Sequence, residues 1–244
     1  MKILGIDTSG SALSVALLDG DRLQAEYLID HGLTHSQRLM PLLDKLLRDC
    51  GAAVAEMDAF AVAKGPGSFT GLRIGVATVK ALGFAEKKPV VGVSTLEALC
   101  YHLPEADGVL CPMLDARNAQ TFAAVYRWRD GQLEEVLPPQ AIPVQELCAR
   151  LQEYDEAVWL LGDGAVVYEK TLKETLGARA KLAPPPLRLP RASSVAWAAK
   201  RALEAGEPAE GKQLKPEYLR KSQAEQEKAR REKQEGEKND CNGK

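Results

Sequence analysis

Two short glycine-containing turns carry the residue types best suited to chemistry. The first, Asp7-Thr8-Ser9-Gly10, follows an apolar run and offers a carboxylate, two hydroxyls and backbone N–H groups. Such a turn can present its N–H groups to a phosphate, while its carboxylate holds a metal ion through water. The same residue types are also common in turns without any ligand, so the motif alone leaves both interpretations open.

The second turn, Lys64-Gly65-Pro66-Gly67-Ser68, precedes a helix predicted from about Thr70 to Glu86. The free N–H groups and the dipole of a helix N-terminus attract anions. The turn is not a P-loop, because no Gly-Lys-Ser/Thr follows at the required spacing. A tight strand-to-helix connection is the alternative explanation of its glycines.

Metal ligands and catalytic nucleophiles are scarce in this sequence. His31 and His35 are four residues apart, but Gly32 places them in a turn that leads to a helix cap. No cysteine pair has C-x-x-C spacing, and no G-x-S-x-G motif occurs. We therefore predict no catalytic residue, no metal site and no cofactor.

The positions of these turns follow from an α/β pattern that occurs twice. Strands, a helix, a strand and a helix succeed one another before residue 105 and again after it, which predicts two lobes. We assign residues 1–105 to the first lobe and 106–219 to the second, and allow for helix 193–205 to pack back on the first lobe. The predicted strands are 2–7, 12–18, 22–29, 60–63, 89–93, 110–114, 122–128, 132–136 and 158–161, and the predicted helices are 34–50, 70–86, 94–101, 143–151, 166–176 and 193–205.

Residues 220–244 differ in composition from the rest of the chain. Beyond Leu219 the apolar residues are Ala224, Ala229 and Cys241. Such a segment buries too little apolar surface to offset its ordering entropy, so we expect a charged, disordered tail or a frayed helix.

Composition excludes several classes of protein. The formal net charge is −2, which argues against a surface built throughout to bind nucleic acid. No apolar run approaches 18 residues, and Lys2 and Asp7 interrupt the N-terminus too early for a signal peptide. We expect a cytoplasmic protein without a membrane segment.

Four segments resemble the TsaB (YeaZ) family: ILGIDTS at 3–9, GPGSFTGLRIGVATVKAL at 65–82, VGVSTLEAL at 91–99 and PEYLR at 216–220. The resemblance is dense over the first 100 residues and thinner to about residue 220. It implies an α/β fold of two actin-like (ASKHA, RNase H-like) lobes, with mixed sheets flanked by helices. It also implies a part in adding threonylcarbamoyl to N6 of the adenosine beside the anticodon, in tRNAs that read codons beginning with adenine.

The same resemblance implies a subunit without catalytic activity of its own. In the related enzyme TsaD, the segment matching 91–99 carries a His-x-x-x-His pair, and the corresponding residues here are Thr95 and Leu99. The turn at 114–118, where an actin-like fold needs a second phosphate loop, has no glycine. Asp7, Thr8 and Ser9 would then be a degenerate phosphate loop, with TsaD and the ATPase TsaE as partners and tRNA reached through the complex.

Helices 34–50 and 70–86 carry more apolar residues than one sheet-facing stripe needs. Burial within the lobe or a partner surface would explain the surplus. The resemblance implies the partner surface, formed with TsaD or with a second copy of the chain. A carboxylate at Leu72 or Val76 is then expected to leave the protein soluble and abolish pairing. The predicted interface residues are Leu39, Leu43, Leu46, Leu72, Gly75, Val76 and Val79.

Two other functions stay open on the residues alone. An independent kinase-like ATPase or peptidase of the same fold would use Asp7-Thr8-Ser9 and the 64–71 loop. An RNA-binding adaptor would use the 220–244 tail with Lys212 and Lys215.

Overall fold

Two five-stranded mixed sheets with helices on their faces make up the computed structural model, which describes residues 1–32 and 34–220. The predicted disordered tail therefore lies, apart from Arg220, outside the described residues. Within the described ranges, no helix combines the length and the apolar character needed to cross a bilayer.

The first lobe begins with three antiparallel strands and continues with parallel ones. A hairpin turn at Asp19-Gly20-Asp21 joins the second and third strands, with Gly20 in the left-handed region at φ 58°. Its elements are β1 (Lys2–Asp7), β2 (Leu13–Asp19), β3 (Arg22–Ile29), α1 (His35–Asp49), β4 (Ala59–Gly65), α2 (Phe69–Glu86), β5 (Val90–Ser94) and α3 (Thr95–Cys100).

The second lobe repeats this arrangement. The first sheet has the order β3-β2-β1-β4-β5, and the second has the order β8-β7-β6-β9-β10, so each begins with a meander and adds two parallel strands. The α/β fold of two mixed sheets is thereby confirmed. Its elements are β6 (Val109–Arg117), β7 (Gln120–Arg129), β8 (Gln132–Pro143), α4 (Val144–Leu151), β9 (Val158–Leu161), α5 (Asp163–Val167), α6 (Glu169–Leu176) and β10 (Ala180–Leu182).

Helix α7 (Ala192–Glu204) follows the second sheet along the chain but lies on the first sheet, across β1, β2 and β4. The close approach requires glycine in β1, because a Cβ on Gly5 would stand 2.4 Å from the Ala192 carbonyl oxygen. Residues 210–217 also bond to β4 and β5. The second lobe therefore ends before α7 and not at residue 219, since the last described part of the chain completes the first lobe.

A buried carboxylate on β3 fixes the start of α7. The Glu26 side chain is 8% exposed and accepts from the Arg191 guanidinium at 2.7 Å. It also accepts from the backbone N–H and the hydroxyl of Ser193, at 3.0 and 2.8 Å. One side chain thus supplies the capping acceptor that the residue before α7, Arg191, lacks.

We expect Glu26→Ala to lower the free energy of unfolding by about 2–3 kcal/mol, because Arg191 and the first turn of α7 lose a shared, desolvated acceptor. Urea denaturation monitored by circular dichroism measures the change. Glu174→Ala removes an exposed carboxylate of α6 and should cost less than about 0.5 kcal/mol. Equal effects of the two variants would contradict the capping role.

The structure corrects the predicted interface residues. All seven are buried within the first lobe, where α1 and α2 pack on the sheet and on each other. They are core residues of the chain because these sides of both helices face the sheet and each other. The corrected positions are Leu39, Leu43, Leu46, Leu72, Gly75, Val76 and Val79.

Candidate functional site

A cleft of about 630 Å³ separates the two lobes and collects the turns that the sequence singled out. Both predicted loops and the turn at 114–118 contribute to its walls, so the fold brings the three motifs together. The C-terminal segment 217–220 lines it as well, which no sequence pattern indicated.

The first loop surrounds a buried acid. Asp7 is 1% exposed, and its Oδ1 accepts from the N–H and the hydroxyl of Ser9 at 2.8 and 2.7 Å. Its Oδ2 has no hydrogen-bond partner. Burial raises the pKa of the Asp7 carboxyl from 3.8 to about 6, against the lowering effect of the Ser9 bonds. His35 helps to hold this loop, since its Nε2 lies 3.0 Å from the Gly10 carbonyl oxygen.

The N-terminus of α2 is bonded to protein groups. The Ser68 N–H donates to the Ser9 carbonyl at 2.7 Å, and the Gly71 N–H donates to the Ser68 hydroxyl at 3.3 Å. The Thr8 hydroxyl in turn donates to the Gly71 carbonyl at 2.8 Å. A Cβ on Gly71 would stand 2.0 Å from the Thr8 carbonyl oxygen, so the first loop lies directly on the helix. Two of the N–H groups that would cradle a phosphate are therefore already occupied.

The turn after β6 contains no glycine, although its backbone adopts left-handed conformations. Arg117, Asn118 and Ala119 all adopt left-handed conformations, with φ of 62°, 53° and 56°. Asp115 stabilises the turn, because its Oδ1 accepts from the Arg117 N–H at 2.9 Å and from the Tyr168 hydroxyl at 2.9 Å.

Carboxylates dominate the second-lobe side of the cleft. Asp163 accepts from the Asp115 N–H at 3.1 Å, and burial raises the pKa of the Asp163 carboxyl. Asp115, Glu217, Arg117 and Arg220 also line the cleft. The two aspartates on the second-lobe side and the occupied amides at α2 disfavour a polyphosphate bound as in an actin-like ATPase.

Helix α3, which carries Thr95 and Leu99 at the positions of the TsaD histidines, is packed in an apolar contact between the lobes. Thr95 and Leu99 on α3 are both fully buried, and Leu99 belongs to a cluster with Leu110 and Leu161 of the second sheet. Among residues 1–32 and 34–220, no group of three or more His, Cys, Asp or Glu side chains could hold a metal ion. The histidine contacts give no sign of a nucleophile–base pair, since His35 and His102 both bond to backbone carbonyls.

A second candidate site is the exposed side of α2 with its neighbour α1. Phe84 is 75% exposed and Met40 on α1 is 53% exposed, which is unusual for such large apolar side chains. Arg73, Ala77 and Ala81 lie on the same outer side of α2, where small side chains allow another helix to approach closely. Sequence periodicity alone did not separate this side from the buried one, because α2 is apolar almost all round.

Comparison with known proteins decides the family. The chain is 36% identical to TsaB, the tRNA threonylcarbamoyladenosine biosynthesis protein of Bacillus subtilis, over 225 residues covering 92% of this chain and 96% of that protein. This chain belongs to the TsaB family. The family model of TsaD, tRNA N6-adenosine threonylcarbamoyltransferase, matches residues 32–228. The TsaB of Haemophilus influenzae is 28% identical over 90% of this chain and 94% of its own length.

Solved structures agree with this TsaB-family fold. A Pseudomonas aeruginosa protein, described as uncharacterized with similarity to the peptidase YEAZ, superposes with a TM-score of 0.75. It is 30% identical and covers 90% of this chain and 99% of its own. The predicted resemblance to the TsaB family is therefore confirmed in sequence and in fold.

Proposed function

We propose that this chain is a non-catalytic subunit in the biosynthesis of threonylcarbamoyladenosine in tRNA. TsaD would supply the metal site and the transfer from threonylcarbamoyl adenylate to the tRNA adenosine, and TsaE would be the ATPase partner. The observation that carries the proposal is the TsaB-family fold in which Leu99 packs in an apolar contact between the lobes and Thr95 is fully buried. These are the two positions at which the resemblance places the histidine pair of TsaD. The occupied N–H groups at α2 support the same conclusion.

We assign the TsaD contact to the exposed side of α1 and α2. Phe84 and Met40 would bury apolar surface on a partner, and Ala77 and Ala81 would let a partner helix approach. The same side would pair two copies of the chain when TsaD is absent. Arg73, stacked at 3.9 Å over the Phe69 ring, offers a cation at the end of this surface.

A cytoplasmic location belongs to the same proposal. Cys50, Cys100, Cys111 and Cys148 are all free thiols in the described chain, as in proteins of a reducing compartment. The tRNA would be reached through the complex and not by this subunit alone.

The decisive experiment is reconstitution with threonylcarbamoyl adenylate and unmodified tRNA. We expect this chain alone to form no modified nucleoside, and we expect its addition to TsaD and TsaE to raise the yield, as measured by nucleoside mass spectrometry. Modification by this chain alone would overturn the proposal in favour of an independent enzyme.

Two further arms separate the alternative functions. Tight Mg-ATP binding in calorimetry, lost in Asp7→Asn, would favour a kinase-like ATPase. Deletion of residues 221–244 should leave tRNA modification unchanged, whereas a loss of tRNA affinity and of its salt dependence would favour an RNA-binding adaptor.

A further inference from the structure

We propose that residues 210–220 form a latch that holds the two lobes together across the cleft. This C-terminal latch is bonded along the first lobe and reaches the second lobe with one side chain. It would maintain, without any bound ligand, the cleft shape that a bridging ligand imposes in two-lobed proteins.

The latch is anchored firmly in the first lobe. The Glu210 N–H donates to the Val90 carbonyl at 3.0 Å, and the Glu210 carboxylate pairs with the Lys64 ammonium at 2.9 Å. Leu214 is fully buried in the core of that lobe. The Lys80 ammonium on α2 donates to the carbonyls of Lys212 and Leu214, at 2.9 and 3.0 Å.

The latch then runs over the second glycine-containing turn. The Glu217 N–H donates to the Lys64 carbonyl at 2.7 Å. A Cβ on Gly65 would stand 2.3 Å from the Glu217 carbonyl oxygen, so this glycine is needed for the chain to pass. The Tyr218 ring stacks on the Phe69 ring at 4.5 Å, and the Tyr218 hydroxyl accepts from Arg73 Nε at 3.0 Å.

Arg220 makes the connection to the second lobe. Its Nη1 donates to the Ala116 carbonyl at 3.0 Å and to the Gln120 side-chain oxygen at 3.2 Å. These two acceptors flank residues 117–119, the three consecutive residues in left-handed conformation. Arg117 and Ala119 are strained in this conformation, which asparagine tolerates better, so contacts with surrounding groups help to hold the turn. The end of the latch thus contacts a strained turn of the second lobe.

Amide hydrogen exchange of the full-length protein tests the latch. In Arg220→Ala we expect about tenfold faster exchange over residues 116–121, because the charged donor that flanks the turn is lost. Exchange over residues 148–151, in the second half of α4, should not change; the start of α4 is not a control, because the Val144 N–H donates to the Ala119 carbonyl at 3.1 Å. Lys215→Ala is the matched control, since Lys215 is exposed within the latch and should leave both regions as in the unmodified protein.

A second variant tests the latch through a residue other than Arg220. Tyr218→Ala removes the ring that stacks on Phe69, and it should raise exchange over 116–121 in the same way by loosening the chain that carries Arg220. Unchanged exchange over 116–121 in both variants would overturn the latch. An increase of equal size over residues 148–151 would also overturn it, since the segment would then stabilise the fold as a whole.

Discussion

Ala77→Glu should leave the chain folded and strongly weaken its binding to TsaD. Ala77 lies on the exposed side of α2, so a carboxylate there is hydrated in the free subunit. In the proposed complex the same carboxylate is desolvated without a partner, which costs about 2–5 kcal/mol. The affinity should fall by about thirtyfold or more. Calorimetric titration of TsaD with each variant, after gel filtration and circular dichroism, measures the effect.

The adjacent substitution Val76→Glu is the matched comparison and has a different expected result. Val76 is 4% exposed and packs in the core formed by α1, α2 and the sheet. A buried carboxylate without a partner costs about 3–5 kcal/mol, a large part of the stability of an ordinary domain. We expect this variant to lose its fold, contrary to the result predicted from the sequence. A folded Val76→Glu would contradict the assignment of Val76 to the core. Full TsaD binding by Ala77→Glu would contradict the assignment of the TsaD contact to the exposed side of α2.

Asp7→Asn should increase the free energy of unfolding near neutral pH, by about 2 kcal/mol at pH 7.5. The pKa of the Asp7 carboxyl is about 6 in the folded chain and 3.8 as its ordinary value, so keeping it ionised in the fold costs at most about 3 kcal/mol. Asn retains an oxygen that can accept the two Ser9 bonds. Its NH₂ group replaces the Oδ2 that has no partner, which offsets part of the gain.

The stability gain of Asp7→Asn should depend on pH. The folded chain binds the Asp7 proton more tightly than the unfolded chain, so the protonated carboxyl contributes its stability below about pH 4. That contribution is lost as the pH rises through about 6. The advantage of Asp7→Asn should therefore shrink toward pH 4 in urea titrations. Asp44→Asn, at an exposed position on α1, should change stability by less than about 0.5 kcal/mol at either pH. A gain for Asp7→Asn that is equal at pH 4 and pH 7.5 would contradict the buried-charge explanation.

Periodicity and turn chemistry predicted most of the fold correctly, and the exceptions have local causes. β8 extends to Pro143 through Pro138 and Pro139, although proline favours the end of a strand. Two prolines are tolerated because β8 is the edge strand of its sheet and its pairing with β7 is irregular. β10, at Ala180–Leu182, is only three residues long and gives no alternating pattern to detect.

The helix predicted at 166–176 is two helices in the structure. α5 begins at Asp163, before the predicted helix start, and α6 begins after a break at Tyr168. The Tyr168 hydroxyl bonds to Asp115, which lies far away in the sequence, so the break depends on a contact that local propensity does not record.

The cleft illustrates the same limit. Asp7, Thr8 and Ser9 were predicted to form a loop from their own types and spacing, and the structure places that loop at the cleft. Arg220 lies 104 residues from the carbonyl it binds, so nothing in its neighbourhood along the chain indicated its position. PEYLR at 216–220 was informative only as part of a family resemblance.

The return of α7 to the first sheet has a consequence for the order of synthesis. Ile3, Ala61 and Val93 are buried beneath α7, whose Val195 and Ala196 complete that side of the core. The ribosome finishes the whole second lobe before it makes these covering residues. A nascent chain released after residue 105 exposes most of one apolar face of its sheet, because it lacks α7. The first lobe to be translated is thus the last to be completed.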